Sequence, residues 1–271
     1  MAGHVVTHYL ESLNRYTIFN ASLDKLNDKT IIINVEHKEL VKKILTEKKP
    51  DIVINCIGLL IKDSANLPDK AIYLNSFFPH YLVQLGKHLK FKLIHLSTDC
   101  VFSGKKGNYS EEDIKDGIGY YARSKALGEI INDKDLTFRT SIIGPELKPD
   151  GSGLFHWFMT QSGSIYGYKN AYWTGITTLE LAKSINAAIE QDLTSLYHLV
   201  PKKKISKYEL LELIREIWGQ KITILKEYQH RDDKSLINNR DDFNYNISTY
   251  RTMLNELFSW MRNREYNFYN Y

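Results

Sequence analysis

Two short apolar runs, each ending in small or hydroxyl side chains, restrict the fold of this chain more than any other feature. Asp51–Ile57 ends in Gly58, and Phe91–Leu96 ends in Ser97-Thr98-Asp99. Continuous apolar runs of this length are typical of strands buried on both faces of a parallel sheet. Helical patterns separate them from three further predicted strands, Tyr16–Asn20, Thr30–Val35 and Leu136–Ile143. The alternation predicts an α/β fold with a doubly wound parallel sheet.

The pattern changes after Gly144-Pro145, where aromatic side chains crowd the stretch from His156 to Trp173. Such aromatics could stack on a sugar or base, or form the core of a small domain, and both interpretations stay open. We expect residues 1–145 to form one domain. Residues 146–271 should form a smaller α+β substrate-binding region, partly interleaved with the first at the carboxyl side of the sheet.

Tyr121 and Lys125 stand four residues apart in a predicted helix, which places them on one face. An ammonium group beside a phenol favours the phenolate and lowers its pKa. Such a pair can act as a general acid–base. The hydroxyl of Thr98 is predicted at the carboxyl end of a strand, where α/β sheets bind ligands.

The strand followed by Ser97-Thr98-Asp99-Cys100-Val101-Phe102-Ser103-Gly104, with Tyr-x-x-x-Lys before Ala126-Leu127-Gly128-Glu129, resembles the extended short-chain dehydrogenase/reductase superfamily. Within it the chain is most similar to the dTDP-4-dehydrorhamnose reductase branch, from about Gly3 to about Val200. The resemblance implies a Rossmann-like cofactor domain and reduction of the 4-keto group of a nucleotide-linked 6-deoxyhexose. The nucleotide could be dTDP or UDP, and a 2-acetamido sugar is a further candidate. The product would enter surface polysaccharide synthesis.

The resemblance also implies roles for individual residues. Thr98 would polarise the sugar ketone, Tyr121 would protonate the forming alkoxide, and Lys125 would lower the Tyr121 pKa and hold the nicotinamide ribose. The sugar site would be lined by Thr98, Asp99, Cys100 and Trp173. The cofactor would contact Gly3, Ser22, Lys25, Asn34, Val35, Cys56, Ile57, Gly58, Asn75, Tyr121 and Lys125. For Asn75, support of the active-site strand and a solvent-facing amide both stay open.

The start of the chain is unusual for such a fold. Apolar side chains at helical spacing predict an amphipathic helix over residues 3–14. In the resembled family, a strand and a Gly-x-x-Gly-x-x-Gly loop precede this helix, and the loop binds the cofactor pyrophosphate. Met1-Ala2-Gly3 resembles the end of that loop. We therefore expect the first strand and two glycines to be missing, through truncation or a misassigned start.

Residue 20 bears on the choice of cofactor. An acidic side chain there would bind the ribose 2′-hydroxyl of NAD, whereas this chain has Asn20, followed by Ser22 and Lys25. The pattern favours NADP, with NAD as the alternative.

Composition excludes several other classes. The net charge of +4 is mild and dispersed, which disfavours nucleic-acid binding. No apolar run is long enough to span a membrane, and none of the nine histidines and two cysteines shows metal-ligand spacing. Two cysteines favour a reducing, cytoplasmic compartment, and a homodimer is left open.

A second hypothesis is a non-catalytic, NADP-binding regulatory subunit, similar to the β subunit of methionine adenosyltransferase. The intact set of Thr98, Tyr121 and Lys125 argues against it, and the missing glycine loop argues for it.

Overall fold

The computed structural model describes residues 1–263, 269 and 271, so the far end of the predicted 146–271 region lies partly outside the described residues. The α-helices are α1 Ala2–Ser12, α2 Lys38–Lys48, α3 Ile61–Asn66, α4 Pro68–Ile72, α5 Phe78–Leu89, α6 Gly119–Leu127, α7 Leu154–Met159, α8 Thr178–Glu190, α9 Lys207–Trp218 and α10 Tyr250–Met261. The strands are β1 Ala21–Ser22, β2 Ile31–Ile32, β3 Ile52–Asn55, β4 Lys92–Ser97, β5 Leu136–Arg139, β6 Ile142–Ile143, β7 Ser164–Trp173, β8 Ile176–Thr177, β9 Ser195–His198, β10 Ile205–Ser206 and β11 Thr223–Asp233.

The main sheet has four parallel strands in the order β3-β4-β5-β9. Ile94 of β4 pairs with Leu136 of β5, which in turn pairs with Ser195 of β9. Helices connect these strands, so the predicted α/β parallel sheet is confirmed. Strand β9, which pairs with β5, comes from the second half of the chain.

Strands β1 and β2 form a separate parallel pair. The predicted strand Tyr16–Asn20 is wrong, because the ladder includes only Ala21 and Ser22. Tyr16 and Ile18 nevertheless pack against the first hydrophobic cluster. Apolar side chains at alternate positions therefore reflect burial here, without hydrogen bonds to a neighbouring strand. In the described part of the chain, β3 pairs only with β4 and is an edge strand.

The second half contains a three-stranded sheet in the order β10-β7-β11. The central strand β7 was not among the predicted strands, and β11 is the longest strand of this sheet, with 11 residues. The predicted strand Leu136–Ile143 is divided, since β5 joins the main sheet and β6 pairs with β8. Helix α1 confirms the predicted amphipathic helix, and Val6 and Leu10 on its buried face join the first hydrophobic cluster.

A π-helical turn, Tyr73–Phe77, separates α4 from α5. Pro79 follows in the first turn of α5, where it has no N–H to donate to the carbonyl of Asn75. Gly128, at the end of α6, packs directly on this carbonyl, and a Cβ at that position would overlap the oxygen. A backbone irregularity and a glycine therefore let α6 approach the π turn closely.

We expect Gly128→Ala to lower the free energy of unfolding by about 2 kcal/mol, because the added methyl overlaps the Asn75 backbone. Gly3→Ala is a matched control in α1, where the new Cβ would lie 3.7 Å from the Cβ of Cys56 without overlap. The control should be neutral, or stabilising by up to about 1 kcal/mol. Urea unfolding of both variants would measure the difference, and equal stabilities would contradict the close packing of α6.

Candidate functional site

The first part of the site lies where β4 ends. Thr98 caps the 3-10 turn Asp99–Val101: its hydroxyl accepts a hydrogen bond from the Cys100 N–H at 3.1 Å. The same hydroxyl donates to Oδ1 of Asp99, also at 3.1 Å. Burial raises the pKa of Asp99, with Lys207 acting in the opposite direction. Burial and the neighbouring Asp99 raise the pKa of Cys100 to about 12. The turn thus places one hydroxyl and two weakly ionising groups together.

Tyr121, on α6, faces this turn. Burial is the main cause that raises the pKa of its phenol, and Cys100 adds to the effect, while a side-chain hydrogen bond with Thr98 opposes it. The expected lowering of the Tyr121 pKa by Lys125 is therefore wrong for this structure. The ammonium points elsewhere, since Nζ of Lys125 donates to the carbonyl of Leu96 at 2.6 Å. Tyr121 is accordingly a phenol over the neutral pH range and can give up a proton.

Lys125 is almost fully enclosed, with 4% of its surface exposed. Burial lowers its pKa to about 8, although Glu129 and Cys56 act in the opposite direction. Its Nζ also lies 3.5 Å from Nε2 of His95, a residue on β4 that is completely buried. In the sequence, His95 is one of nine scattered histidines. A polar residue inside an otherwise apolar strand was the signal that could have identified it.

A buried ion pair lies directly behind Thr98. Arg139 of β5 donates to both carboxylate oxygens of Glu129, at 2.7 and 2.6 Å. Ser97 and Lys115 donate to the same carboxylate at 2.7 and 3.1 Å, and a third Arg139 nitrogen lies 2.7 Å from Nε2 of His198. Burial raises the pKa of Glu129, but the bonds and charge of Arg139 outweigh this and keep it below its usual value. The carboxylate therefore stays charged and links β4, β5, β9 and α6.

Several of the residues predicted to bind the cofactor converge near Lys125. Gly3 is the second residue of α1 and approaches Cys56, just beyond β3. Burial raises the pKa of Cys56 to about 11, while the nearby N-terminal amine and Lys125 act to lower it. Ile57 follows Cys56 and donates its N–H to Asn55 at 3.1 Å.

Asn75 is buried, and the structure resolves the two interpretations of its side chain in favour of a supporting position. Its Oδ1 accepts from the N–H of Leu59 at 2.8 Å, and its Nδ2 donates to the Leu59 carbonyl and to Ser124, both at 3.1 Å. A Cβ at Gly58 would lie 3.4 Å from this Oδ1. Asn75 thus ties the loop after β3 to α6.

The other predicted cofactor residues make local contacts around β1 and β2. Ser22 donates to the carbonyl of Asp24 at 2.7 Å, and Lys25 forms an exposed 2.6 Å ion pair with Asp28. Nδ2 of Asn34 donates to Glu36 at 3.0 Å, and Val35 accepts from the hydroxyl of Tyr73 at 3.1 Å. Their assignment to a cofactor stays a prediction.

Trp173 lies in the core of the second half, with 3% of its surface exposed. Tyr250 is 5.9 Å from its ring and donates to its carbonyl oxygen at 3.1 Å. Nζ of Lys207 lies 5.1 Å from the ring centre, at the start of α9. The charges of Asp99 and Cys100 act on Lys207, whose pKa burial lowers. Trp173 itself is therefore a core residue. Its neighbour Lys207 is the side chain near the Thr98 turn, and sequence reasoning missed it.

The described residues contain neither a membrane-spanning helix nor a group of side chains suited to a metal ion. No helix in this part of the chain has both the length and the apolar character to cross a bilayer. Within the same residues, no group of three or more His, Cys, Asp or Glu side chains is arranged to hold a metal ion.

Comparison with known proteins adds independent findings. The chain is 32% identical over 115 residues to a dTDP-4-dehydrorhamnose reductase of Aggregatibacter actinomycetemcomitans, a match that covers 40% of this chain and 39% of that protein. The chain thus matches about two fifths of the length of this curated relative.

Solved structures match over a longer range. A hypothetical dTDP-4-dehydrorhamnose reductase from Sulfolobus tokodaii superposes with a TM-score of 0.75 at 26% identity, over 87% of this chain and 88% of that one. A dTDP-4-dehydrorhamnose reductase of Bacillus anthracis in complex with NADP has a TM-score of 0.74 at 20% identity, over 88% and 93% of the two chains, and this likeness supports the fold alone. The RmlD substrate binding domain model matches residues 20–234, and the chain therefore belongs to that family.

Proposed function

We propose that this protein is an NADPH-dependent reductase of a nucleotide-linked 6-deoxyhexos-4-ulose. The observation that carries the proposal is the placement of the Tyr121 phenol, kept protonated by burial, against the Thr98 hydroxyl. Lys125 lies one helical turn away from Tyr121, at the same edge of the sheet. The family membership and the 32% identity to a known reductase add support.

Thr98 and Tyr121 have separate roles in the proposed reduction. A reduced nicotinamide, when bound, supplies the hydride. Thr98 donates a hydrogen bond to the ketone oxygen and polarises the carbonyl. Tyr121 donates its proton to that oxygen as the alkoxide forms, so that the ketone gains one hydride and one proton. Asp99 and Cys100 lie next to Thr98, where they would line the sugar site.

The residues around Lys125 fit the nicotinamide half of a dinucleotide. Lys125 carries more donors than the one used on Leu96, and Gly3 adds no side chain of its own beside Cys56. The first turn of α1 has no side-chain cap within the described chain, so its N–H groups can receive an anion. We assign the remaining predicted contacts, Cys56, Ile57, Gly58 and Asn75, to the same region.

The preference for NADPH rests on Asn20. A neutral amide does not repel a 2′-phosphate, and Ser22 and Lys25 can supply a hydrogen bond and a positive charge. In the structure Ser22 bonds to Asp24 and Lys25 pairs with Asp28. To bind the phosphate, Ser22 and Lys25 must release these exposed partners. NAD is the alternative cofactor.

The substrate is proposed as a dTDP- or UDP-linked sugar, with a 2-acetamido group as a further option. We assign its diphosphate to Lys207. For this lysine the structure gives no carboxylate within ion-pair distance in the described residues, whereas Lys204 pairs with Asp233 and Lys234 with Asp232. The product would supply surface polysaccharide synthesis in the cytoplasm, a location consistent with the two free cysteines. We also propose that the cofactor domain and the substrate-binding region divide near residue 145, and that the protein forms a homodimer.

The second hypothesis is a non-catalytic regulatory subunit. A subunit of that kind needs no proton donor at the ketone position. The enclosed arrangement of Thr98, Tyr121 and Lys125 therefore favours the reductase.

We expect Tyr121→Phe to lower kcat by at least about 100-fold with little change in NADPH affinity, since only the proton donor is lost. Tyr120→Phe is the matched control, because Tyr120 is adjacent, exposed and lacks a lysine four residues later. Turnover of dTDP- and UDP-linked 4-keto-6-deoxy sugars would be followed by NADPH absorbance. Near-normal turnover by Tyr121→Phe would remove this residue from the mechanism.

Lys125→Met should lower both turnover and cofactor affinity, yet make the fold more stable. Methionine removes the cost of burying an ammonium. At pH 7 the gain should be about 1–2 kcal/mol, after the lost bond to Leu96 is subtracted.

The stability gain from Lys125→Met should depend on pH. The pKa of Lys125 falls from its ordinary 10.5 to about 8 on folding. Between these values the unfolded chain binds more protons, so the stability of the parent rises with pH. The advantage of the variant should therefore shrink from pH 8 toward pH 10, as measured by urea unfolding. A constant advantage would show that folding does not lower the pKa of Lys125.

Lys207→Met should raise KM for the nucleotide sugar by about 10-fold with little change in kcat, because one charged contact to the diphosphate is lost. Lys202→Met, in the exposed turn before β10, is the control. The affinity for dTDP and UDP, measured by calorimetry, should fall by the same factor, whereas an unchanged KM would place the diphosphate elsewhere.

A further inference from the structure

The side chain of Asn55 has a fixed orientation at the end of β3. Its Oδ1 accepts a hydrogen bond from the N–H of Ile57 at 3.1 Å. A backbone N–H can only donate, so the atom that receives it must be the amide oxygen. The NH₂ of Asn55 consequently faces His95, with Nδ2 at 3.2 Å from Nδ1.

This orientation decides the tautomer of His95. A neutral imidazole has one N–H and one lone pair, and burial keeps His95 neutral by holding its pKa well below the ordinary value. Because Asn55 offers a donor to Nδ1, Nδ1 carries the lone pair and Nε2 carries the hydrogen. That hydrogen is directed at Nζ of Lys125, 3.5 Å away.

The protonation state of Lys125 follows from the same logic. An ammonium group has donors only, so it would place an N–H against the Nε2–H of His95. A neutral amine has a lone pair that can accept this hydrogen, while its own N–H donates to the carbonyl of Leu96. Every group in the series Ile57, Asn55, His95, Lys125 and Leu96 is then satisfied.

Charged groups nearby also affect the protonation of Lys125 and His95. Glu129, just after the end of α6, and Cys56, beyond β3, favour the ammonium form of Lys125. The Glu129 carboxylate is already neutralised by Arg139 and Lys115, which limits its pull. His80 acts on His95 and lowers its pKa further.

We propose that His95 is a positioning residue whose Nε2–H favours the amine form of Lys125 over the ammonium in the ligand-free protein. The phenol form of Tyr121 has a separate cause, which is its own burial. This role of His95 concerns the free protein and stands independently of the reaction proposed above.

The tautomer is measured directly by long-range ¹H–¹⁵N spectra of the unmodified protein with ¹⁵N-labelled histidine. The His95 signals are identified by their loss in His95→Gln. We expect Nε2–H with a bare Nδ1 at pH 7, and a charged ring or the Nδ1–H tautomer would overturn the proposal. The tautomer itself is read from the unmodified protein, and a variant is needed only to assign the His95 signals.

The charge of Lys125 is followed by the pH titration of its ¹³Cε signal, assigned with Lys125→Met. We expect a midpoint at or below pH 8, against about 10.4 for exposed lysines. His95→Gln should raise the midpoint by about one unit, because its amide oxygen can accept from an ammonium, whereas His88→Gln on the exposed face of α5 should not. An unchanged midpoint in folded His95→Gln would contradict the role of His95.

Discussion

The site depends on the buried ion pair between Glu129 and Arg139. A carboxylate and a guanidinium removed from water are costly unless their hydrogen bonds are completed. Ser97, Lys115 and His198 complete them, so removal of any partner would leave charge uncompensated. The pair locks the end of α6 to the ends of three adjacent strands. Thr98 follows one of those strands and Tyr121 lies on that helix, so their approach is a consequence of this bond.

Desolvation shifts the pKa values of Tyr121 and Lys125 in opposite directions, upward for the phenol and downward for the ammonium. Taking a phenol out of water disfavours the phenolate, and taking an ammonium out of water disfavours the cation. Tyr121 and Lys125 are therefore both driven toward their neutral forms. A pair that the sequence suggested as phenolate and ammonium is, in the free protein, a phenol beside a lysine whose pKa burial lowers to about 8. An anionic ligand entering over Lys125 would favour the ammonium again.

The part of the site that could be predicted depends on local signals. The strand before Thr98 and the Tyr121–Lys125 spacing each lie within a few residues, and the main sheet follows from its apolar runs. His95 and Lys207 were missed because their significance comes from neighbours more than 25 residues away in the chain. Strand β7 was missed because its exposed tyrosines alternate with small buried residues, a weaker signal than a continuous apolar run. The division between β5 and β6 depends on which sheet each half joins, and hydrophobicity alone does not encode that choice.

The edge position of β3 has a consequence for the rate at which its backbone hydrogens are replaced by deuterium. In a parallel pair, successive amides of one strand point alternately toward and away from the partner. Amides of β3 that face β4 are held in the ladder, and those that face outward are not. Exchange along this strand should therefore alternate from residue to residue, while β4 and β5, paired on both sides, should be protected throughout. The same argument applies to β9 at the other edge, and local opening of β3 would begin next to the predicted cofactor contacts.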